Sequence, residues 1–435
     1  MKIEHTPVRE LRPYAANART HSKKQVKQIA RSIAKFGFCN PVLIDDTKQI
    51  IAGHGRVEAA KLLGIDAVPT CQLSHLSETD KRAYILADNK LAEKAGWDKE
   101  LLAIELQGLI ELDVDIELTG FDTSEIDIIL EDAREANGDP SGPEDEVPNS
   151  LGPAVTQTGD LWLLGTHRLL CGDARDQAAY DRLLEGAKAE FVFTDPPYNV
   201  AIDGHVCGLG RVHHREFAMG SGEMSEAEFT AFLKAVFGVL AENTVDGSIH
   251  QICMDWRHMG EMLGAGRAVY SELKNLCVWN KNNGGMGTFY RSKHELVFVW
   301  KSGTAPHINN FELGQHGRHR ANVWDYPGIN TMRAGRLEEL AMHPTVKPVI
   351  LVADALKDCS RRRGLVLDPF CGSGTILIAA ERTGRKARAL EIDRTYVDVA
   401  VRRWQTYTGK SAVFSGSGET FETIAEKRSA KPAAV

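Results

Sequence analysis

The chain has 435 residues, of which 43% are hydrophobic and 26% charged, and carries a net charge of −7, so it is long enough for two or three domains with ample cores. No run approaches the length of a membrane span and Met1-Lys2-Ile3-Glu4-His5 has no signal-peptide form, which argues for the cytoplasm. Eight scattered cysteines without a Cys-x-x-Cys pair read as free thiols in a reducing compartment, and no metal site is indicated.

The first region runs over residues 1–91. Ser22 is placed to N-cap a helix with Val26, Ile29, Ile33 and Phe36 on one face, and Gly37 to end it. Pro41 to Ile44 reads as a strand, Gly53 to Gly64 as a glycine turn leading into a helix, and Ala67 to Leu73 as a further strand. This small α+β unit resembles the ParB N-terminal domain, with its sulfiredoxin-like fold. Asn17-Ala18-Arg19 stands where that family has Asn-Pro-Arg, and Ile51-Ala52-Gly53-His54-Gly55-Arg56 where it has a Gly-Glu-Arg-Arg box. In ParB proteins these segments contact a nucleoside triphosphate. Here His54 replaces the glutamate, Gly55 replaces the first arginine, and Glu58 falls where another arginine is common. Fewer positive charges therefore face any phosphate, and nucleotide binding stays open beside a role in contacts to protein or DNA.

Residues 92–135 read as a helical extension, with Leu101, Leu102, Ile104, Leu106, Leu109 and Ile110 and then Ile126, Ile128, Ile129 and Leu130 as its apolar positions. Residues 136–158 read as a flexible acidic linker, because Asn137 to Glu146 is polar and rich in glycine and proline. Residues 131–150 carry a net charge of −6, whereas residues 256–336 carry +6. The negative total thus hides a basic segment in the second half.

A third region spans 159–415. Asp160 to Leu164 and Arg168 to Cys171 suggest a hairpin, followed by Gly172-Asp173. Glu190 to Thr194 is a short apolar strand, stopped by Asp195-Pro196-Pro197-Tyr198 because two prolines cannot continue a sheet. Asp195 is then expected at a strand's carboxyl end, where open α/β sheets place their ligand crevice. Leu276 to Lys281 and Glu295 to Lys301 read as further strands of the main sheet. Gly364 to Gly374, containing Asp368-Pro369-Phe370-Cys371-Gly372-Ser373-Gly374, reads as strand and glycine turn, with a helix beginning at Thr375. Gly372 and Gly374 let a cofactor approach the backbone. Glu391 ends the next strand, where an acid can accept hydrogen bonds from both hydroxyls of a ribose. Residues 416–435 read as a disordered tail.

These motifs together resemble the S-adenosylmethionine-dependent DNA amino-methyltransferases, in the β-class order with the catalytic motif first. The resemblance covers about residues 159–415 and implies a Rossmann-like α/β sheet with helices on both faces. It implies S-adenosylmethionine held by Asp173, Thr345, Lys347, Asp368, Phe370, Gly372, Gly374 and Glu391, with Thr345 and Lys347 belonging to the segment His343-Pro344-Thr345-Val346-Lys347-Pro348. It implies Asp195, Pro196, Pro197 and Tyr198 as the catalytic set. Asp195 and the Pro196 carbonyl would grip an exocyclic amino group, and Tyr198 would stack on a base flipped out of double-stranded DNA. Carbon-5 methylation of cytosine would need a Pro-Cys nucleophile, and no such pair occurs. Asp at the first motif position points to adenine N6, with cytosine N4 as the alternative. A ParB-like DNA-binding protein with a secondary methyltransferase domain is the reading from a different class.

Target recognition is expected within residues 302–342, where Arg318, Arg320, Arg333 and Arg336 are candidates for DNA phosphates or guanine edges. Ala201 to Gly222 resembles a loop that closes on the base. A homodimer fits the class, although no sequence feature fixes it.

Overall fold

The computed structural model describes residues 2–136, 143–148, 153–200, 222–282, 289–311, 314, 318–328 and 346–429. The chain divides into two compact units, Met1–Gly138 and Asp139–Val435. Among the described residues no helix is long and apolar enough to cross a membrane.

In chain order the first unit contains β1 (Ile3–Pro7), α1 (Lys23–Phe36), β2 (Val42–Ile44), β3 (Ile50–Ala52), α2 (His54–Leu62), β4 (Ala67–Gln72), α3 (Glu78–Glu93), α4 (Lys99–Glu111) and α5 (Thr123–Ala136). Its four strands pair in the order β1-β4-β2-β3. The parallel β2–β4 pair is flanked by two antiparallel pairs. Val42, Ile44, Ile50, Val57 and Val68 form the core beneath it. The Ser22 hydroxyl accepts from the Gln25 N–H to cap α1, and Gly37 ends that helix at φ 80°. Phe36, expected on the apolar face, is exposed, and Ala30 is the buried residue of this helix. The α4–α5 pair closes over Leu106, Ile116 and Ile126, while Leu101 and Ile104 remain exposed.

The second unit contains β5 (Leu161–Leu164), β6 (His167–Cys171), α6 (Gln177–Leu184), β7 (Ala189–Thr194), α7 (Glu226–Glu242), β8 (Thr244–Met254), α8 (Met259–Val269), β9 (Glu272–Asn280), β10 (His294–Lys301), β11 (Val323–Asp325), α9 (Val349–Cys359), β12 (Leu365–Asp368), α10 (Thr375–Thr383), β13 (Lys386–Glu391), α11 (Arg394–Thr408), β14 (Val413–Phe414) and α12 (Phe421–Ser429). The strands form one sheet, ordered β11-β9-β10-β8-β7-β12-β13-β6-β5-β14. The middle five, β8-β7-β12-β13-β6, are parallel throughout. Antiparallel β10 and β5 extend it on either side. Two apolar clusters cover the sheet. One gathers α9, α10 and α11, and the other α6, α7 and α8, so helices lie on both faces as the sequence implied.

From β7 the chain moves outward to β8 on one side, and from β12 to β13 on the other. The boundary between β7 and β12 is therefore the topological switch point, where the carboxyl ends of the strands open a crevice. Asp195 follows β7 and Asp368 ends β12, so both stand at its mouth.

Two expectations are corrected. Glu144 and Asp145, assigned to a flexible linker, are anchored within the second unit. The buried Glu144 carboxylate accepts from Arg382 at 2.6 Å, its carbonyl accepts from Arg403 at 2.7 Å, and Asp145 accepts from the Val349 N–H at 2.9 Å. The tail is not disordered throughout. Helix α12 begins at Phe421, whose ring is fully buried 5.1 Å from that of Trp162, and Arg428 pairs with Asp160. Buried Phe421 and Ile424, with the Arg428 ion pair, order part of a polar, alanine-rich segment that composition assigns to solvent.

Gly374 caps α10 at φ 87°, and a Cβ built there would stand 2.8 Å from Cβ of Ala400 on α11. Gly374→Ala is expected to lower stability by about 1–3 kcal/mol through overpacking and backbone strain, measured by urea unfolding.

Candidate active site

The site is built from four strand ends. Asp195 follows β7, Asp368 ends β12, Glu391 ends β13, and Gly172-Asp173 follow β6. One cavity is lined by Asp173, Asp195, Pro196, Pro197, Tyr198, Lys347, Asp368, Phe370, Gly372 and Glu391. Of the catalytic and cofactor residues expected from the sequence, Gly374 does not line it, and Thr345 lies outside the described residues together with Arg333, Arg336, His343 and the stretch 201–221.

The cofactor half is held by backbone N–H groups and one threonine hydroxyl. The buried Asp368 carboxylate accepts from the Thr194 hydroxyl at 2.7 Å and from the Phe370 N–H at 3.0 Å. Glu391 accepts from the N–H groups of Gly372 and Asp393, each at 2.8 Å. Burial nevertheless pushes both carboxyls up, each to about 7, because uncharged donors only partly offset the loss of water. Asp173 instead pairs with Arg175 at 2.6 Å, which holds its carboxyl below the usual range. Gly372 takes φ 52°, and a Cβ built there meets no protein atom within 4 Å. Two hydrogen-bond-hungry carboxylates beside an open glycine turn fit a cationic ligand with sugar hydroxyls, as S-adenosylmethionine is.

The half around Asp195 is an ion cluster. The Lys347 ammonium donates to Asp195 Oδ2 at 2.5 Å and lies 2.9 Å from Glu295 Oε2. The Tyr198 hydroxyl donates to Asp195 Oδ1 at 2.5 Å and to Glu295 Oε2 at 3.2 Å. Lys281 pairs with the other oxygen of Glu295. Burial raises the Asp195 carboxyl against the opposing pull of Lys347. Burial would raise Glu295 too, but Lys347 and Lys281 overcome it and hold that carboxyl down at about 2. Burial alone would lower Lys347, and its two carboxylate neighbours raise it instead. Tyr198, expected only as a stacking ring, is thus also a hydrogen-bond donor to the acid of its own motif. Asn199 locks the end of this turn at φ 52°, accepting from the N–H groups of Gly222 and Met224, each at 3.1 Å.

Sequence reasoning missed Glu295, Lys281 and Thr194. A signal for the first was present: Ser292-Lys293-His294-Glu295 puts an acid directly against the apolar run Leu296 to Trp300, and an acid abutting a buried strand needs a partner.

Arg318 and Arg320 are corrected. Neither guanidinium projects toward solvent. Arg318 donates to Asp358 at 2.7 Å, and Arg320 donates to Asp358 at 3.0 Å and to the Tyr326 hydroxyl at 2.8 Å. Tyr326 in turn donates to Asp354 at 2.5 Å. The two acids lie one helical turn apart on α9, so the arginines pin the segment before β11 onto that helix.

Two outcomes follow from this geometry. Asp358→Ala leaves two arginines short of a buried partner and is expected to lower stability by about 3–5 kcal/mol in urea unfolding. Glu391, neutral at pH 6 and ionised at pH 8, is the better acceptor for ribose hydroxyls when charged. S-adenosylmethionine binding is therefore expected to tighten from pH 6 to pH 8, by at most about tenfold per unit below 7, and to release protons near pH 6.5 in calorimetry run in two buffers. The sign for the ligand-free fold is the reverse. A carboxyl raised from 4.5 to about 7 costs stability progressively as pH climbs through that window.

The comparisons with known proteins agree with this architecture. The family described as DNA methylase matches residues 189–402, the ParB N-terminal domain matches residues 1–90, and the ParB-methyltransferase HTH domain matches residues 100–158. The ParB-like nuclease domain-containing protein YnaK of Escherichia coli (strain K12) is 55% identical over 82 residues, 19% of this chain and 94% of that protein. The type II methyltransferase M2.MboI of Moraxella bovis is 23% identical over 233 residues, 50% of this chain and 81% of that protein. Among solved structures, the M1.HpyAVI–SAM complex is similar at 17% identity and TM-score 0.38, covering 54% of this chain and 98% of that one. The chain carries a DNA methylase domain over residues 189–402 and an N-terminal ParB-like domain over residues 1–90.

Proposed function

We propose that this protein methylates the N6 amino group of adenine at specific sites in double-stranded DNA. The observation that carries the reading is the placement of Asp195 and Pro196 on the same cavity wall as Gly372 and Glu391, across the switch point of the sheet. One cavity can then hold a methyl donor and a base together, which removes most of the entropic cost of bringing them into line. Adenine is favoured by Asp at the first position of the motif.

An exocyclic amino nitrogen is a poor nucleophile because its lone pair is delocalised into the ring. Asp195 accepts one N–H and the Pro196 carbonyl accepts the other, drawing the nitrogen toward tetrahedral geometry. When bound, S-adenosylmethionine supplies the methyl carbon, whose bonding pair stays on sulfur as the nitrogen lone pair forms the new C–N bond. Asp195 then takes the surplus proton, the N–H pair returning to nitrogen, and passes that proton to water. The Tyr198 ring lines the same wall and offers a face to the flipped base. Asp368, Phe370, Gly372 and Glu391 hold the cofactor, with Asp173 on its adenine side.

The test is methyl transfer from labelled S-adenosylmethionine to unmethylated genomic DNA, followed by nucleoside mass spectrometry. N6-methyladenine is expected from the wild type. Asp195→Ala is expected to lose at least about 100-fold in rate while cofactor binding persists. N4-methylcytosine as the product would keep the chemistry and overturn the base, and undiminished transfer by Asp195→Ala would overturn the catalytic assignment.

A further inference from the structure

Glu295 stands behind the catalytic motif and outside the cavity wall. It sits near the start of β10, with its side chain 13% exposed. Three groups converge on it: the Lys347 ammonium at 2.9 Å, the Tyr198 hydroxyl at 3.2 Å, and Lys281. Lys347 and Tyr198 are also the two groups that touch Asp195. Every described side-chain donor to the catalytic acid is therefore shared with this second carboxylate.

That sharing has a chemical consequence. An ammonium paired with Asp195 alone would withdraw its electron density and leave a weak acceptor for an amino proton. A second carboxylate on the same ammonium divides that pull. We infer that Glu295 is a positioning residue for methyl transfer, holding Lys347 and Tyr198 so that Asp195 stays basic enough to accept the amino proton. The inference rests on the reading that Asp195 grips the amino group. Lys281 sets the strength of the device from the far side, because its hold on one oxygen of Glu295 limits how much charge the other can offer Lys347. No atom is transferred to Glu295. The proton released by the methylated nitrogen goes to Asp195 as described, and Glu295 remains an anion throughout.

The titratable groups around Asp195 are Lys347 ahead of α9, Glu295 on β10, Tyr198 on its own turn, Cys253 on β8 and Asp368 on β12. Glu295 is an anion that raises the Asp195 carboxyl. Removing its charge lowers the proton affinity of Asp195. Removing Lys281 has the opposite effect, since an unclamped Glu295 draws Lys347 more strongly. The two substitutions therefore shift Asp195 in opposite directions, which a merely structural role does not do.

The experiment is the single-turnover rate of methyl transfer to DNA as a function of pH, for the full-length wild type, Glu295→Gln and Lys281→Met, with S-adenosylmethionine affinity measured in parallel. Glu295→Gln is expected to move the acid limb to lower pH by about one unit and to slow transfer at neutral pH by about tenfold or more. Its cofactor affinity is expected to stay within about twofold of the wild type. Lys281→Met is expected to move the limb to higher pH. Limbs that stay put, or that move the same way, overturn the inference. If Glu295→Gln fails to fold, shown by lost cofactor binding, Lys281→Met decides by its direction alone. Undiminished transfer by Asp195→Ala in the same assay marks instead a failure of the underlying catalytic reading.

Discussion

A charge removed from water must be paired, and at the carboxyl edge of the sheet this requirement organises everything else. Asp195, Glu295, Lys347 and Lys281 are two acids and two bases brought from four places: the turn after β7, the start of β10, the loop before α9 and the end of β9. Leaving any one without its partner would cost several kcal/mol. The sheet order β9-β10-β8-β7 is what makes the pairing possible. The antiparallel extension is thus more than a cover for the parallel core. It delivers Glu295 and Lys281, the acid and the base that complete the ion cluster around Lys347.

The two halves of the cavity meet the same requirement differently. In the half around Asp195 the cations belong to the protein, so charge is balanced before any ligand arrives. In the cofactor half Asp368 and Glu391 accept, among the described residues, from N–H and O–H groups that carry no charge. Their carboxyls stay near the midpoint of titration at neutral pH. That half is electrostatically incomplete in the free protein. A sulfonium ligand with ribose hydroxyls would complete it, and part of its binding energy would go into charging these carboxyls.

Much of this was legible in the sequence because the informative signals are local. Two prolines stop β7 at Asp195, the Gly372 turn opens α10, and Ser22 and Gly37 bound α1. Strand β10 was readable from its apolar run to within one residue, whereas β9 starts four residues before the expected Leu276, in a mostly polar stretch. Pairings between distant residues were not legible. Lys347 lies 152 positions from Asp195, and no spacing rule links them. Arg318 and Arg320 show the same limit from the other side. Arginines in a basic stretch read as a nucleic-acid surface until a helix with acids at positions 354 and 358 is found beneath them. Composition likewise misjudged Glu144 and Phe421, whose partners are distant in sequence: Arg382 and Arg403 for the first, Trp162 for the second.

The ParB-like unit shows why departures from a family motif deserve a packing explanation before a functional one. Gly55 stands where that family carries an arginine, and here a Cβ would already lie 3.0 Å from both His21 and Ile29 of the α1 region. A larger residue at that position would have to displace the His21 and Ile29 side chains. His54 accepts from the Tyr14 N–H at 3.2 Å, and burial lowers its proton affinity, so it serves the fold as a neutral ring. Arg19 is engaged by Glu93, and Arg56 donates to the Asn40 carbonyl at 3.4 Å. The two departures that remove a cation each have a contact inside the unit, Gly55 against His21 and Ile29, and Glu58 with Lys61 at 2.8 Å. Any anion bound at this turn would rely on the backbone N–H groups at the start of α2 rather than on a ring of arginines.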